Sequence, residues 1–178
     1  MKKYKTIKII LFLFTFLIGG CASVTKDIEI DSTVDPTIKF SGYKSYGWLA
    51  EISGLNDPEG VWQSPKMNIA EDIRYLIDRE LRKRGIYSYA ENPDLFVAFF
   101  MGVDMEALEL KVDPNTKEDI LAEVPSAALA VALIDANTGY VVWVGEAMGD
   151  IQKNPSDELI RKRLDYAVTE IFKKLPSD

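Results

Sequence analysis

The chain has 178 residues, with 21 Lys+Arg against 28 Asp+Glu, no His, one Cys and 47% apolar residues, the makeup of one globular domain. Zero His excludes Ser-His-Asp and Cys-His nucleophilic catalysis, the zincins and most zinc, copper and non-haem iron sites. A lone Cys excludes an intrachain disulfide and an iron–sulfur cluster, and the acidic balance points away from a nucleic-acid partner.

The amino terminus reads as an address. Met1 to Lys8 carries Lys2, Lys3, Lys5 and Lys8 and no acid, and Ile9 to Ile18 is a ten-residue apolar run of signal-peptide length. Extended to Val24 it reaches sixteen residues, short of the ~20 a helix needs to span a bilayer. It closes with Ile18-Gly19-Gly20-Cys21, which resembles a lipobox, the processing site of bacterial lipoproteins. That resemblance implies cleavage between Gly20 and Cys21, removal of residues 1–20, and a diacylglycerol with palmitate-type chains on Cys21. Losing four of the 21 Lys+Arg leaves 17 against 28 acids, a mature charge of −11, so lipid rather than charge is expected to hold the domain on the membrane. Ala22 and Ser23 differ from the Asp that resembles an inner-membrane retention signal. The expected location is therefore the outer membrane, facing the periplasm.

Residues 21–31 read as the lipidated Cys and a polar tether, and 32–178 as one α+β domain. A first strand is expected over Thr37 to Leu49. A helix is expected from Ser64-Pro65, with Ile69, Ile73, Leu76, Ile77 and Leu81 on one stripe and a stop at Gly85. Asp94 to Val103 is an apolar run fit for a central strand, continuing past a bulge at Gly102. Ala127 to Ile134, the turn Asp135-Ala136-Asn137-Thr138-Gly139, and Tyr140 to Ile151 form a hairpin. On its return strand Val141, Trp143, Gly145, Ala147, Gly149 and Ile151 share the face expected to receive a helix. That helix starts near Asn154-Pro155 or Ser156, carries Leu164, Val168, Ile171 and Leu175, and stops at Pro176. The order β-α-β-β-β-α predicts a two-layer sandwich. Its sheet is mostly antiparallel, of four to five strands, covered on one face by two amphipathic helices.

Three segments carry a further resemblance: Phe40-Ser41-Gly42-Tyr43-Lys44-Ser45-Tyr46-Gly47-Trp48, Pro93-Asp94-Leu95-Phe96-Val97, and Asp135 through Trp143-Val144-Gly145. With the lipobox and the closing helix, they make the chain similar to the bacterial envelope lipoproteins grouped as domain of unknown function 4136, over residues 27–175. The resemblance implies a cell-envelope lipoprotein with an α+β domain and supplies no catalytic residues. Asp104 to Glu123 matches no pattern.

Chemistry is sparse. There is no phosphate loop and no Gly-x-Ser-x-Gly elbow, and no cofactor or metal ligand set is expected. Glu146 and Asp150 share a strand face, but four residues at ~3.3 Å each part their backbones by ~13 Å, wide even for an inverting glycosidase. Asp104, Glu106 and Glu109 read as an exposed rim, and Arg82-Lys83-Arg84 and Arg161-Lys162-Arg163 as solvated helix faces. Trp48 and Trp143 read as core. Trp62, in the turn-rich segment Gly54 to Ser64, is expected with Val61 to edge an interaction surface beside the first helix. The leading expectation is a non-catalytic envelope lipoprotein that binds a protein partner. The alternative is a carrier or sensor of a small apolar ligand in a groove between sheet and helices, and a remote one is a carboxylate-dependent hydrolase.

Overall fold

A computed structural model describes residues 24–89 and 91–177; Gly20 and Cys21 lie outside them. The strands, in chain order, are β1 (Glu29–Val34), β2 (Ser45–Asn56), β3 (Tyr87–Ser88), β4 (Leu95–Asp104), β5 (Leu108–Val112), β6 (Asp119–Glu123), β7 (Ser126–Asp135) and β8 (Val141–Asp150). The helices are α1 (Ile69–Lys83) and α2 (Asp157–Lys173). Both helices cover one face of a six-stranded mixed sheet, ordered β1-β8-β7-β4-β2-β3, while β5 and β6 pair in a separate two-stranded sheet.

This differs from the expected order and strand count. Glu29 to Val34, half of it inside the expected tether, pairs antiparallel with β8. The first strand after it starts at Ser45 rather than Thr37, because Phe40–Gly42 is a 3₁₀ turn. β2 runs parallel to β4 with α1 crossing between them, the connection a parallel pair requires. The expected run-on of β4 past Gly102 does not occur as one strand. The chain turns at Met105 and Glu106 into the β5–β6 hairpin, which occupies the stretch that matched no pattern.

Capping chemistry sets the helix starts. Asn68 Oδ1 accepts the Glu71 backbone N–H at 3.2 Å, so α1 begins four residues beyond Pro65. Ser156 Oγ accepts from the Leu159 N–H at 3.2 Å, and α2 starts where its sequence predicts. The stripes of Ile73, Ile77 and Leu81 and of Val168, Ile171 and Phe172 are buried against Leu95, Val97, Leu129, Val131, Leu133 and Trp143. Glu80 is buried between the helices and needs no other role. Its Oε1 accepts from Arg79 Nη2 at 2.6 Å and from Lys83 Nζ at 2.8 Å.

One residue of the return strand departs from strict alternation. Leu133 pairs with Trp143 and Ile134 with Val141, leaving Val142 as an extra residue, a β-bulge. Val142 and Trp143 are therefore both buried, while Val141, expected under a helix, is exposed. Beyond the bulge Gly145 lies beneath α2. A Cβ built there would stand 2.4 Å from Trp143 and 2.5 Å from Ile171.

Candidate functional site: an apolar cleft at one end of the sheet

The carboxyl ends of β2, β4 and β8 and the amino ends of β1 and β7 meet at one end of the sheet, as their registers require. The first turns of both helices stand over that end. Between them lies a cleft of about 570 Å³, within the range of small-molecule sites. Leu55 and Met101 come from the sheet, Ile69 and Ile73 from α1, and Ile160 and Leu164 from α2, with Ile28 closing the side beside β1.

Trp62 lines this cleft, and Val61 does not. The segment is held by Asp57, whose Oδ1 accepts the Val61 N–H at 3.0 Å and whose Oδ2 accepts the Trp62 N–H at 2.8 Å. Gly60, at φ +68°, closes the turn. The indole is thus positioned by an acid-capped turn rather than by Pro65 and a helix start. It stays half-buried and outside the core cluster, while Val61 is exposed. Of the other Trp residues, Trp143 is core. Trp48 is partly buried, donates Nε1–H to Asp78 Oδ1 at 3.2 Å and lies 4.7 Å beneath the Arg74 guanidinium.

Charged groups of the cleft are few. Arg163 donates to Asp27 Oδ1 at 2.9 Å and Oδ2 at 2.5 Å, and also to the carbonyl oxygens of Val24 and Asp150. That guanidinium holds the Asp27 carboxyl below its ordinary range, against the opposing effect of burial. Asp150 is the one carboxylate among the described lining residues, and Glu146 is exposed and lies outside the cleft, so the structure does not gather the two acids there. Asp104 accepts from Asn56 Nδ2 at 2.8 Å, and Glu109 pairs with Lys111 at 2.5 Å. Four bases of the helix clusters are engaged rather than free on a solvated face: Arg163 with Asp27, Lys83 with Glu80, Arg84 with the Phe172 carbonyl and Arg161 with Asp72 at 3.1 Å. Among the described residues no three carboxylates or thiols are placed to share a metal ion, and no helix is long and apolar enough to cross a membrane. Sequence reasoning missed Ile28, Met67, Met101 and Ile160, whose only signal is apolarity near the ends of elements.

The motifs that carried the family resemblance converge at the opposite end of the sheet. Asp94 Oδ2 accepts the backbone N–H groups of Lys44 at 2.8 Å and Ser45 at 2.9 Å, and Tyr43 donates its hydroxyl to Asp135 Oδ2 at 2.8 Å. Asp135 Oδ1 also takes the N–H groups of Asn137 and Thr138 in the β7–β8 turn. These residues splice β2, β4 and the hairpin turn together; their role is structural.

Fold and cleft define a two-layer α/β sandwich with a mixed sheet, one covered face and an apolar opening at one end. The chain belongs to the family described as Domain of unknown function (DUF4136), whose model matches residues 30–177. A DUF4136 family protein from Bacteroides thetaiotaomicron shares the fold with a TM-score of 0.56 at 12% identity, over 83% of this chain and 95% of that one. A PDZ domain protein from Parabacteroides distasonis aligns with a TM-score of 0.52 at 14% identity over 85% of this chain. The alignment spans 37% of that protein's length. No curated protein matches this sequence.

Proposed function

We propose that this protein is a lipid-anchored, non-catalytic binding module of the bacterial cell envelope, held at the outer membrane through Cys21. Its cleft takes a small apolar ligand. One observation carries the reading: most of the residues lining the cleft are apolar, Ile, Leu, Met, Ala and Trp62 among them, and its arginine is committed to Asp27. An apolar cleft with few polar groups is the form of a binding site for an apolar molecule. This favours the carrier or sensor reading over a purely protein-binding one. A protein partner has its own support in the open sheet face, where Ile52 and Phe100 are exposed in register beside Ala130.

Titration with parinaric acid, a fluorescent fatty acid, tests the cleft. Binding should quench tryptophan emission by energy transfer, and Trp62→Ala should weaken it several-fold with little change in melting temperature. Glu146→Gln should leave binding unchanged. Saturable binding that ignores Trp62→Ala, or a large drop in melting temperature with binding intact, would sink the assignment.

A further inference from the structure

The tether, the cleft and the β5–β6 hairpin all emerge from the same end of the sheet. β1 starts there, with Glu29 opposite Met148 near the end of β8. The hairpin leaves β4 after Asp104 and returns at Ser126, and these two residues face one another in the sheet. Strand register enforces the shared end.

Two features of that end point to one environment. First, the hairpin forms its own sheet, and on one face it exposes Leu108 (61%), Leu110 (66%), Val112 (59%) and Leu121 (70%), with Leu110 directly opposite Leu121 at the centre and Glu123 and Asp119 opposite Leu108 and Val112 at its two ends. An isolated two-stranded hairpin is marginal in water, and clustered large apolar side chains on a surface mark a contact with a partner or membrane. Second, only Ala22 and Ser23 separate Cys21 from Val24, whose carbonyl oxygen is held by Arg163. Three residues extend at most ~11 Å, so a lipid on Cys21 keeps this end within that reach of the bilayer surface.

We infer that this end of the molecule is a membrane-contacting face. The β5–β6 hairpin lays Leu108, Leu110 and Leu121 into the bilayer interface, and the cleft mouth is thereby held against the lipid. The partner is the lipid surface. A five-residue strand pair is ~17 Å long, enough to lie in the interface beside the anchor. The hairpin's Glu109, Asp113, Glu118, Asp119 and Glu123 outnumber its two lysines, so it suits a zwitterionic surface and is repelled by an anionic one. The inference rests on the anchored-lipoprotein reading for its geometry, but it concerns which end faces the membrane.

The test uses the mature lipidated protein in phosphatidylcholine vesicles, labelled with an environment-sensitive fluorophore at Leu110→Cys or, as a control, at Tyr140→Cys. Tyr140 lies in the turn at the far end of the sheet and is 75% exposed. The label at 110 should shift to the blue and be quenched by acyl-brominated lipid several-fold more than the label at 140. Replacing part of the phosphatidylcholine with phosphatidylglycerol should lessen the difference. Equal, water-like signals from both labels on vesicle-bound protein overturn the inference and leave the anchoring reading standing. A blue shift at 110 that persists without vesicles and scales with protein concentration also overturns it, assigning the hairpin to a second copy of the chain. Protein that fails to float with vesicles at all refutes the anchor itself.

Discussion

Arg163 grips Asp27 with both terminal nitrogens, one bond to each carboxylate oxygen, and so fastens the first described turn of the chain to α2. The same carboxylate accepts the Asp150 N–H at 2.9 Å at the end of β8. One ion pair therefore joins the tether, the last sheet strand and a wall of the cleft. Its side chains are 14% and 23% exposed, so solvent screens it less than a surface pair.

Arg163→Met should cost about 2 kcal/mol, the usual loss for charged hydrogen bonds left half-made, read as a lower urea midpoint. The acid limb carries a sign. Because the folded carboxyl of Asp27 sits below its ordinary 3.8, its contribution is fully present above that value and lost as pH falls through the folded value. Asp27→Asn should differ from the parent at neutral pH and approach it toward the acid end. A constant difference across that range would remove the linkage.

Gly145→Ala should destabilise by about 1–3 kcal/mol, the common range for overpacking. The new methyl would meet Trp143 and Ile171 at 2.4 and 2.5 Å, and both are fully buried with little room to yield. Gly42, where an added methyl would find nothing within 4 Å, supplies the control: Gly42→Ala should melt close to the parent. Thermal unfolding of the two variants side by side decides it.

What is legible in the sequence follows from how local each signal is. The β7–β8 hairpin, both helix stripes and the Ser156 start depend on neighbours within a few residues, and they stand where expected. The α1 start falls later than expected because Ser64-Pro65 and Asn68 both carry start chemistry, and Asn68 is the one that caps the helix, through the Glu71 N–H. β1 leaves little trace because EIDSTV pairs through its backbone at a sheet edge and needs little apolar content. The parallel pairing of β2 with β4 is a long-range contact with no local mark. A groove between sheet and helices and an interaction surface edged by Trp62 and Val61 are separate expectations, and the structure places Trp62, without Val61, in the lining of the cleft. Its lining is illegible because it collects single residues from the ends of strands and helices far apart in sequence.

Cys21→Ser should abolish lipid attachment, since the chain has no other thiol to take a diacylglycerol. The variant should also keep residues 1–20, apolar run included, so lipid incorporation and processing, not release from the membrane, are the readouts. Metabolic labelling with palmitate checks it: persistent incorporation, or cleavage ahead of residue 21 in the variant, would overturn the lipobox reading.

The far end of the sheet carries an alkaline linkage. Burial, aided by the hydrogen bond to Asp135 and the charge of that carboxylate, pushes the Tyr43 hydroxyl up to about 12. A tyrosine in an unfolded chain titrates near 10. The folded state therefore holds its proton longer, and the stability from that hold is full below about pH 10 and lost as pH rises toward 12. Tyr46 is raised too, by burial first and then by its 2.5 Å bond to Asp78, so it sustains part of the alkaline limb when Tyr43 is changed. Tyr43→Phe should lose about 1 kcal/mol at neutral pH, the net worth of one hydrogen bond. It should also fall less steeply than the parent between pH 10 and 12, because only the parent has the Tyr43 proton to lose. Urea midpoints at intervals over that window measure both effects. Parallel decline of parent and Tyr43→Phe would show that the Tyr43–Asp135 bond does not couple proton release to unfolding.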